Sequence, residues 1–291
     1  MIEILHGDAL EKIKLLKDKS IDCIVTSPPY WQLRDYGVVG QLGLEDTVEE
    51  YIEKLIEIFN ECWRVLKDTG TIFVNMGDTY SNSKSISIRK KSKMMIPEKI
   101  AIAMIERGWI LRNEIIWHKP NVVPEAVQDR FTNDFEKIYF FTKNEKYFFE
   151  KQYEAFSEKT LTAFKDGIMP TGKKKMLGAG ESRTGMREVN KPWKAVYNEK
   201  GRNMRTVWKI ATKGIPETHF ATFPDELVRR CILAGCPENG IVLDPFLGSG
   251  TTLKVTKKLN RNGIGIELNQ EYIQIAKKRI GNDLFNEVQI K

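Results

Sequence analysis

Asn239 to Thr252 reads NGIVLDPFLGSGTT, and no other stretch constrains the fold of this chain as tightly. An apolar run of strand character ends in Asp244, a short turn follows, and a helical segment opens near Thr251. Gly248 and Gly250 carry no side chains, so a ligand can approach the backbone and the first N–H groups of the helix. Gly263 to Leu268 then reads GIGIEL and puts Glu267 at the carboxyl end of the next strand, where a carboxylate can accept both hydroxyls of a ribose. Strand, turn, helix, strand and acid in that order describe an adenosine site on an α/β sheet. Dinucleotide binding is the competing reading. Leu253 stands where the third glycine of G-x-G-x-x-G belongs, which counts against it.

The rest of the chain carries the same alternation. Strands are predicted over Met1–Leu5, Ile21–Thr26, Thr71–Met76, Ile110–Trp117, Lys137–Thr142, Ile241–Leu243 and Gly263–Glu267. Between them, helices are predicted over Ala9–Lys17, Val48–Leu66, Pro97–Arg107, Pro224–Ala234, Thr251–Leu259 and Glu271–Ile280. In the second of these, Tyr51, Leu55, Ile58, Phe59, Cys62 and Leu66 fall on one face, and Thr69-Gly70 is expected to stop it. The alternation implies a mostly parallel sheet covered on both faces. From Glu150 to Arg205 periodic apolar positions are few and runs such as GKKKMLGAGESRTGMR prevail, so residues 150–205 read as an insertion between two halves, 1–149 and 206–291, of one large α/β domain.

Lys and Arg number 46 against 39 Asp and Glu, a formal charge of +7, and the excess clusters at Arg89–Lys93 and Lys173–Lys175. This suits a polyanionic partner. Charges that merely solvate the surface, as in Lys- and Glu-rich proteins from hot environments, are the bland alternative. No apolar run approaches the roughly 20 residues of a membrane helix and the first residues show no signal-peptide pattern, so a soluble, cytoplasmic protein without membrane association is expected. Cys23, Cys62, Cys231 and Cys236 form no CxxC pair and the three histidines have no ligand spacing, so no metal is expected.

A second motif closes a different strand, at Ser27-Pro28-Pro29-Tyr30. The prolines fix φ, the carbonyl between them points predictably, and Ser27 adds a side-chain oxygen. Such acceptors suit the exocyclic amine of cytosine or adenine, whose lone pair is delocalised into the ring and must be localised before it attacks an electrophilic methyl sulfonium. Tyr30 offers a flat face to an extruded base, because a base inside a duplex cannot reach a buried methyl donor. Taken alone, Pro-Pro after a strand is also a common loop entry.

Thr26-Ser27-Pro28-Pro29-Tyr30-Trp31 followed downstream by DPFLGSGTT resembles the amino-methylating DNA methyltransferases of the beta group, in which the catalytic motif precedes the cofactor motif. The resemblance covers nearly the whole chain and is weakest from Glu150 to Met204. It implies a Rossmann-like, circularly permuted methyltransferase fold with a mostly parallel seven-stranded sheet and an inserted target-recognition region. It implies S-adenosyl-L-methionine as cofactor, double-stranded DNA as substrate and a restriction-modification setting with a cognate restriction endonuclease. Ser27, Pro28, Pro29 and Tyr30 are the catalytic candidates; Asp244, Pro245, Phe246, Gly248, Ser249, Gly250, Thr251 and Glu267 are the cofactor candidates. Gly7-Asp8 looks like the family's acidic contact to the cofactor adenine, although Asp8 also suits a helix N-cap. His219-Phe220-Ala221-Thr222-Phe223-Pro224 looks like the segment around the methionine part of the cofactor, and plain core packing of Phe223 is equally open. In the implied sheet the strand of Glu267 lies beside the strand ending at Asp8, so the chain ends fall close together, as circular permutation requires.

Serine at the head of the motif goes, in this family, with cytosine N4, and Asp or Asn with adenine N6. Cytosine C5 chemistry needs a cysteine nucleophile in a Pro-Cys pair, and only Cys236-Pro237, in reverse order, is present. Target recognition is expected from Arg183, Arg187, Lys191, Arg202 and Arg205, which could reach guanine edges or phosphates, with Trp193 and Tyr197 packing on sugar or base. A solvated insertion would look much the same. The basic loop Ser81–Lys93 is a second candidate clamp, with surface disorder as its alternative. Trp117-His118-Lys119-Pro120 ends a strand near the expected base pocket and could help hold the nucleotide, but His118 reads as structural. The readings left open are an adenine-N6 enzyme of the same fold, a non-catalytic DNA-binding subunit, and a protein-amide methyltransferase.

Overall fold

Apolar runs become the strands of one sheet, and the amphipathic segments between them become its covering helices. The computed structural model describes residues 1–81, 88–158, 161, 200–212, 223–281 and 288–291. Two compact units divide the chain, one formed by Met1–Glu150 with Thr206–Lys291 and the other by Lys151–Arg205.

In chain order, the first part of the larger unit holds β1 (Ile2–His6), α1 (Ala9–Lys14), β2 (Ile21–Thr26), α2 (Val48–Val65), β3 (Leu66–Met76), α3 (Ile96–Glu106), β4 (Ile110–His118) and β5 (Phe135–Thr142). The smaller unit contributes the antiparallel pair β6 (Tyr153–Glu154) and β7 (Arg202–Asn203). The larger unit resumes with β8 (Val207–Lys209), α4 (Asp225–Gly235), β9 (Ile241–Asp244), α5 (Thr251–Lys258), β10 (Asn262–Glu267), α6 (Gln270–Ile280) and β11 (Val288–Ile290).

The sheet runs β11-β1-β10-β9-β2-β3-β5-β4-β8. Only β5 is antiparallel to its neighbours among the described pairings. Among the described residues the sheet therefore has nine strands rather than seven. The seven expected strands form its body, and the short β11 and β8 are added at its two edges. β1 pairs with β10 from Ile2↔Gly263 to His6↔Glu267, so the strand carrying Glu267 lies beside the one leading to Asp8, as the permuted order requires.

β2 is buried along its whole length, the pattern of a central parallel strand covered on both faces. α1, α2 and α3 pack on one another through a core that includes Ile13, Tyr51, Leu55, Phe59 and Met104. α5 and α6 enclose a second core of Ile2, Ile4, Leu247, Leu253, Ile273 and Ala276. α2 begins where Thr47 accepts a hydrogen bond from the Glu50 N–H, and it buries the face that the 3.6-residue period marks. Full burial of each large apolar side chain on that face contributes about 1.5–3 kcal/mol. Thr69-Gly70 does not end this helix. β3 starts directly at Leu66, and its pairing with β2 jumps from Ile21↔Leu66 to Cys23↔Thr71, so Lys67–Gly70 bulges out of the ladder. All four cysteines are buried free thiols. No described helix is long and apolar enough to cross a membrane.

Candidate active site

In a mostly parallel sheet, ligands bind beyond the carboxyl ends of the strands. Here β1, β2 and β10 end at one cavity of about 330 Å³, shared with the turn after β9. Its walls bring together Asp8, Ser27, Pro28, Pro29, Tyr30, Phe223, Pro245, Phe246, Gly248, Ser249, Thr251 and Glu267, twelve of the predicted site residues.

At one end, Glu267 is held by two backbone donors: the Gly248 N–H gives to Oε2 at 2.7 Å and the Asn269 N–H gives to Oε1 at 2.8 Å. Burial pushes the carboxyl above its ordinary value, and these N–H groups pull it back down. Each oxygen keeps a second lone pair, which fits the two hydroxyls of a ribose. Asp8 caps α1, its Oδ1 accepting from the Glu11 N–H at 3.0 Å, and the residue also lines the cavity. Phe223, Phe246 and Tyr272 supply apolar wall. Arg279 fixes the turn by donating to the Ser249 carbonyl at 2.6 Å, to the Ser249 hydroxyl, and to the Thr251 hydroxyl at 3.2 Å. Two carboxylates, aromatic walls and a glycine turn fit an adenosyl group bearing a positive sulfonium.

Two predicted cofactor residues sit elsewhere. Asp244 is fully buried beneath the turn, not in the cavity wall. It accepts from the hydroxyls of Thr26 at 2.7 Å and Thr252 at 2.6 Å and from the Phe246 N–H at 3.1 Å. Burial raises its pKa to about 6 against the opposing pull of those donors. Because Thr26 immediately precedes Ser27, Asp244 is a strut joining the two motifs. Gly250 also leaves the wall: it has φ +85°, and a Cβ there would stand 2.7 Å from Cβ of Ala276. What requires glycine at 250 is the close packing of α5 on α6, not the approach of a ligand.

At the other end, the hydroxyls of Ser27 and Tyr30 are 3.3 Å apart. The Tyr51 hydroxyl donates to the Pro29 carbonyl at 2.7 Å, which pins the turn to α2. Pro28 lines the cavity with Ser27, and no hydrogen bond to its carbonyl is seen among the described residues. Tyr30 donates to Glu136 Oε2 at 2.7 Å, and burial together with that carboxylate drives its hydroxyl well above the ordinary value, so it stays protonated.

Three wall residues, Asn75, Lys119 and Glu136, were absent from the predicted catalytic set. Asn75 Nδ2 lies 2.8 Å from both the Tyr30 hydroxyl and Glu136 Oε2, and Lys119 pairs with Glu136 Oε1. Of the Trp117–Lys119 stretch, Trp117 and Lys119 reach the cavity, whereas His118 faces Asp134 at 3.4 Å away from it. The alternation of β4 explains the split. A lone Asn inside the apolar run FVNM of β3 was the readable signal for Asn75, since burying an amide needs partners. Glu136 left no comparable trace.

The DNA-binding candidates fare differently. Arg202 and Arg205 both pair with Glu154, at 2.8 and 2.6 Å, within the smaller unit. Arg183, Arg187, Lys191, Trp193, Tyr197 and His219–Thr222 lie outside the described residues, as do residues 82–87 of the basic loop.

Known proteins resemble this chain in sequence and fold. The DNA methylase family that spans N6 and N4 enzymes matches residues 21–278. The Type II methyltransferase M.Cfr9I of Citrobacter freundii is 37% identical over 99% of this chain and 90% of its own length. M.SmaI of Serratia marcescens, also a Type II methyltransferase, is 38% identical over 96% of this chain and 90% of its own. Among solved structures, the cytosine-N4-specific PvuII DNA methyltransferase aligns with a TM-score of 0.67 at 19% identity, covering 98% of this chain and 89% of that one. A complex of M1.HpyAVI with its SAM ligand aligns with a TM-score of 0.58 at 23% identity, covering 97% and 100%. The chain belongs to the N4/N6 DNA methylase family and is a DNA methyltransferase that uses S-adenosyl-L-methionine.

Proposed function

We propose that this enzyme methylates the exocyclic N4 of cytosine in duplex DNA, at a specific sequence, by flipping the base and transferring the methyl group directly. The observation that carries the reading is the placement of Ser27 and Tyr30 in the same cavity as Glu267. The serine at the head of the motif favours cytosine, and the fold neighbour named as cytosine-N4-specific is consistent with it.

Glu267 would hold the ribose of S-adenosyl-L-methionine and Asp8 would contact its adenine, and the bound cofactor would supply an electrophilic methyl group. The protein orients the acceptor. Tyr30 stacks the extruded base, while the Ser27 hydroxyl and the Pro28 carbonyl accept from its amine and localise the nitrogen lone pair. No covalent base adduct is needed. Residues 150–205 act as the target-recognition region, with Arg183, Arg187, Arg202 and Arg205 as DNA contacts, and a cognate restriction endonuclease is the expected partner of the methylation.

The test is incubation of the purified protein with tritiated S-adenosyl-L-methionine and mixed-sequence duplex DNA, followed by nucleoside digestion and chromatography. Label in N4-methylcytidine is the expected result. Label in N6-methyladenosine overturns the base assignment, and no label in DNA despite cofactor binding shifts the reading to a protein substrate or a non-catalytic role.

A further inference from the structure

A serine hydroxyl is a weaker acceptor than a carboxylate, and the amine that receives a methyl group must also lose a proton. The cavity contains a group that answers both needs. Glu136, on β5, touches neither motif in sequence, yet its Oε2 receives the Tyr30 hydroxyl at 2.7 Å and its Oε1 is paired with Lys119. The Tyr30 oxygen in turn receives Asn75 Nδ2 at 2.8 Å and lies 3.3 Å from Ser27 Oγ. Because Tyr30 gives its only proton to Glu136, its oxygen can act toward Ser27 only as acceptor. Ser27 therefore donates to Tyr30 and presents its lone pairs elsewhere.

Asn75 reinforces that polarity. Its Nδ2 is spread over Ser27 Oγ at 3.3 Å, the Tyr30 hydroxyl and Glu136 Oε2, while its Oδ1 is buried with no partner among the described residues. A buried carbonyl without a partner is costly, so something must hold the amide in this orientation. Turning the amide over would place that oxygen against the Glu136 carboxylate, so the carboxylate sets the orientation of the amide as well.

We infer that Glu136 is a positioning residue of the transfer site: through Tyr30 it makes Ser27 a hydrogen-bond acceptor for the base amine and takes up the proton the amine loses. This rests on the reading of the cavity as a methyl-transfer site. Once methylated, the amine carries one proton in excess. Its N–H bond breaks and the nitrogen keeps the electron pair. The proton goes to Ser27 Oγ, the Ser27 proton goes to Tyr30, and the Tyr30 proton goes to Glu136 Oε2. The amine passes from cationic to neutral and Glu136 from anionic to neutral, so charge balances. Lys119, 4.7 Å from the centroid of the Trp117 ring, pairs with the other oxygen, Oε1, and leaves Oε2 to Tyr30 and Asn75.

The experiment compares Glu136→Gln, Tyr30→Phe and the double variant. Tyr30→Phe keeps the ring for stacking and removes only the relay hydroxyl. Each single variant is expected to lower the single-turnover rate on duplex DNA about 100-fold, the low end of general acid–base effects. Affinity for S-adenosyl-L-methionine, measured by calorimetry, should stay within about 3-fold. The double variant should be no slower than the slower single, because both break one chain. In protein labelled with [13Cζ]tyrosine, the Tyr30 resonance should move in Glu136→Gln without any DNA present. Wild-type turnover in either single variant, losses that multiply in the double, or an unmoved Tyr30 resonance overturns the inference. The nucleoside product of the unmodified enzyme reports independently on the base assignment.

Discussion

Gly77 lies so close to Tyr30 that a Cβ there would stand 2.5 Å from Cε2 of the ring. The ring cannot swing away freely, because its hydroxyl is held by Glu136 and Asn75. Gly77→Ala therefore pushes the Tyr30 ring, the proposed stacking face, out of place. The single-turnover rate should fall about 10-fold or more, since sub-ångström misplacement at a transfer site is costly. Cofactor affinity should hold, as Glu267 is at the other end of the cavity. An unchanged rate would show that the position of Tyr30 does not govern transfer.

Gly250→Ala tests a different kind of glycine. The residue adopts φ +85°, and a Cβ would meet the Ala276 Cβ at 2.7 Å and its Cα at 2.9 Å. Left-handed strain of roughly 1–2 kcal/mol adds to overpacking of about 1–3 kcal/mol. Thermal unfolding should shift down by several degrees, on the order of 2–4 °C per kcal/mol for larger domains. A variant as stable as the parent that binds cofactor poorly would return Gly250 to the ligand wall.

Asp244 makes stability depend on pH in a definite direction. Its folded-state pKa of about 6 lies above the unfolded value of about 3.9. The folded state therefore holds the proton more tightly, so this contribution is greatest below about pH 4 and is lost as the pH rises toward about 6. The loss is on the order of 2–3 kcal/mol at most. Denaturant titrations of the parent and of Asp244→Asn at steps from pH 4 to pH 7 should differ in slope over this window and run parallel above it. Parallel curves throughout would mean that the carboxylate is already ionised at pH 4.

Glu267→Gln removes a charged acceptor from the proposed ribose site while keeping its shape. A hydrogen bond to a charged group contributes about 1.5–3 kcal/mol, so the Kd for S-adenosyl-L-methionine should rise about 10- to 100-fold by calorimetry. The transfer rate at saturating cofactor should change much less. A collapse of that rate with an unchanged Kd would reverse the division of labour between the two ends of the cavity.

Much of the fold was legible because its signals are periodic and local. β2 was read with its observed bounds, and α2 and α6 within a residue at each end, since each pairs an apolar pattern with a capping residue or a turn. The pairing of β1 with β10 followed from the resemblance to the permuted methyltransferases, which implies that these strands are neighbours. The edge strands β8 and β11 were missed, as three residues cannot display a period. In the site, most of the motif residues line one cavity, but the sequence of DPF does not reveal that Asp244 points down into the core. Glu136 was missed because one acid on a strand looks like any other until folding brings it to Tyr30 across 106 positions.

In the proposed function, one cavity holds the methyl donor at Glu267 and the acceptor base at Tyr30. The most direct test of this claim is the single-turnover rate of Tyr30→Ala on duplex DNA, measured at saturating S-adenosyl-L-methionine alongside the cofactor Kd. Loss of the stacking ring should slow transfer about 10- to 100-fold, in line with about 1–3 kcal/mol per stacked base, with the Kd nearly unchanged. Transfer at the parent rate would contradict the claim.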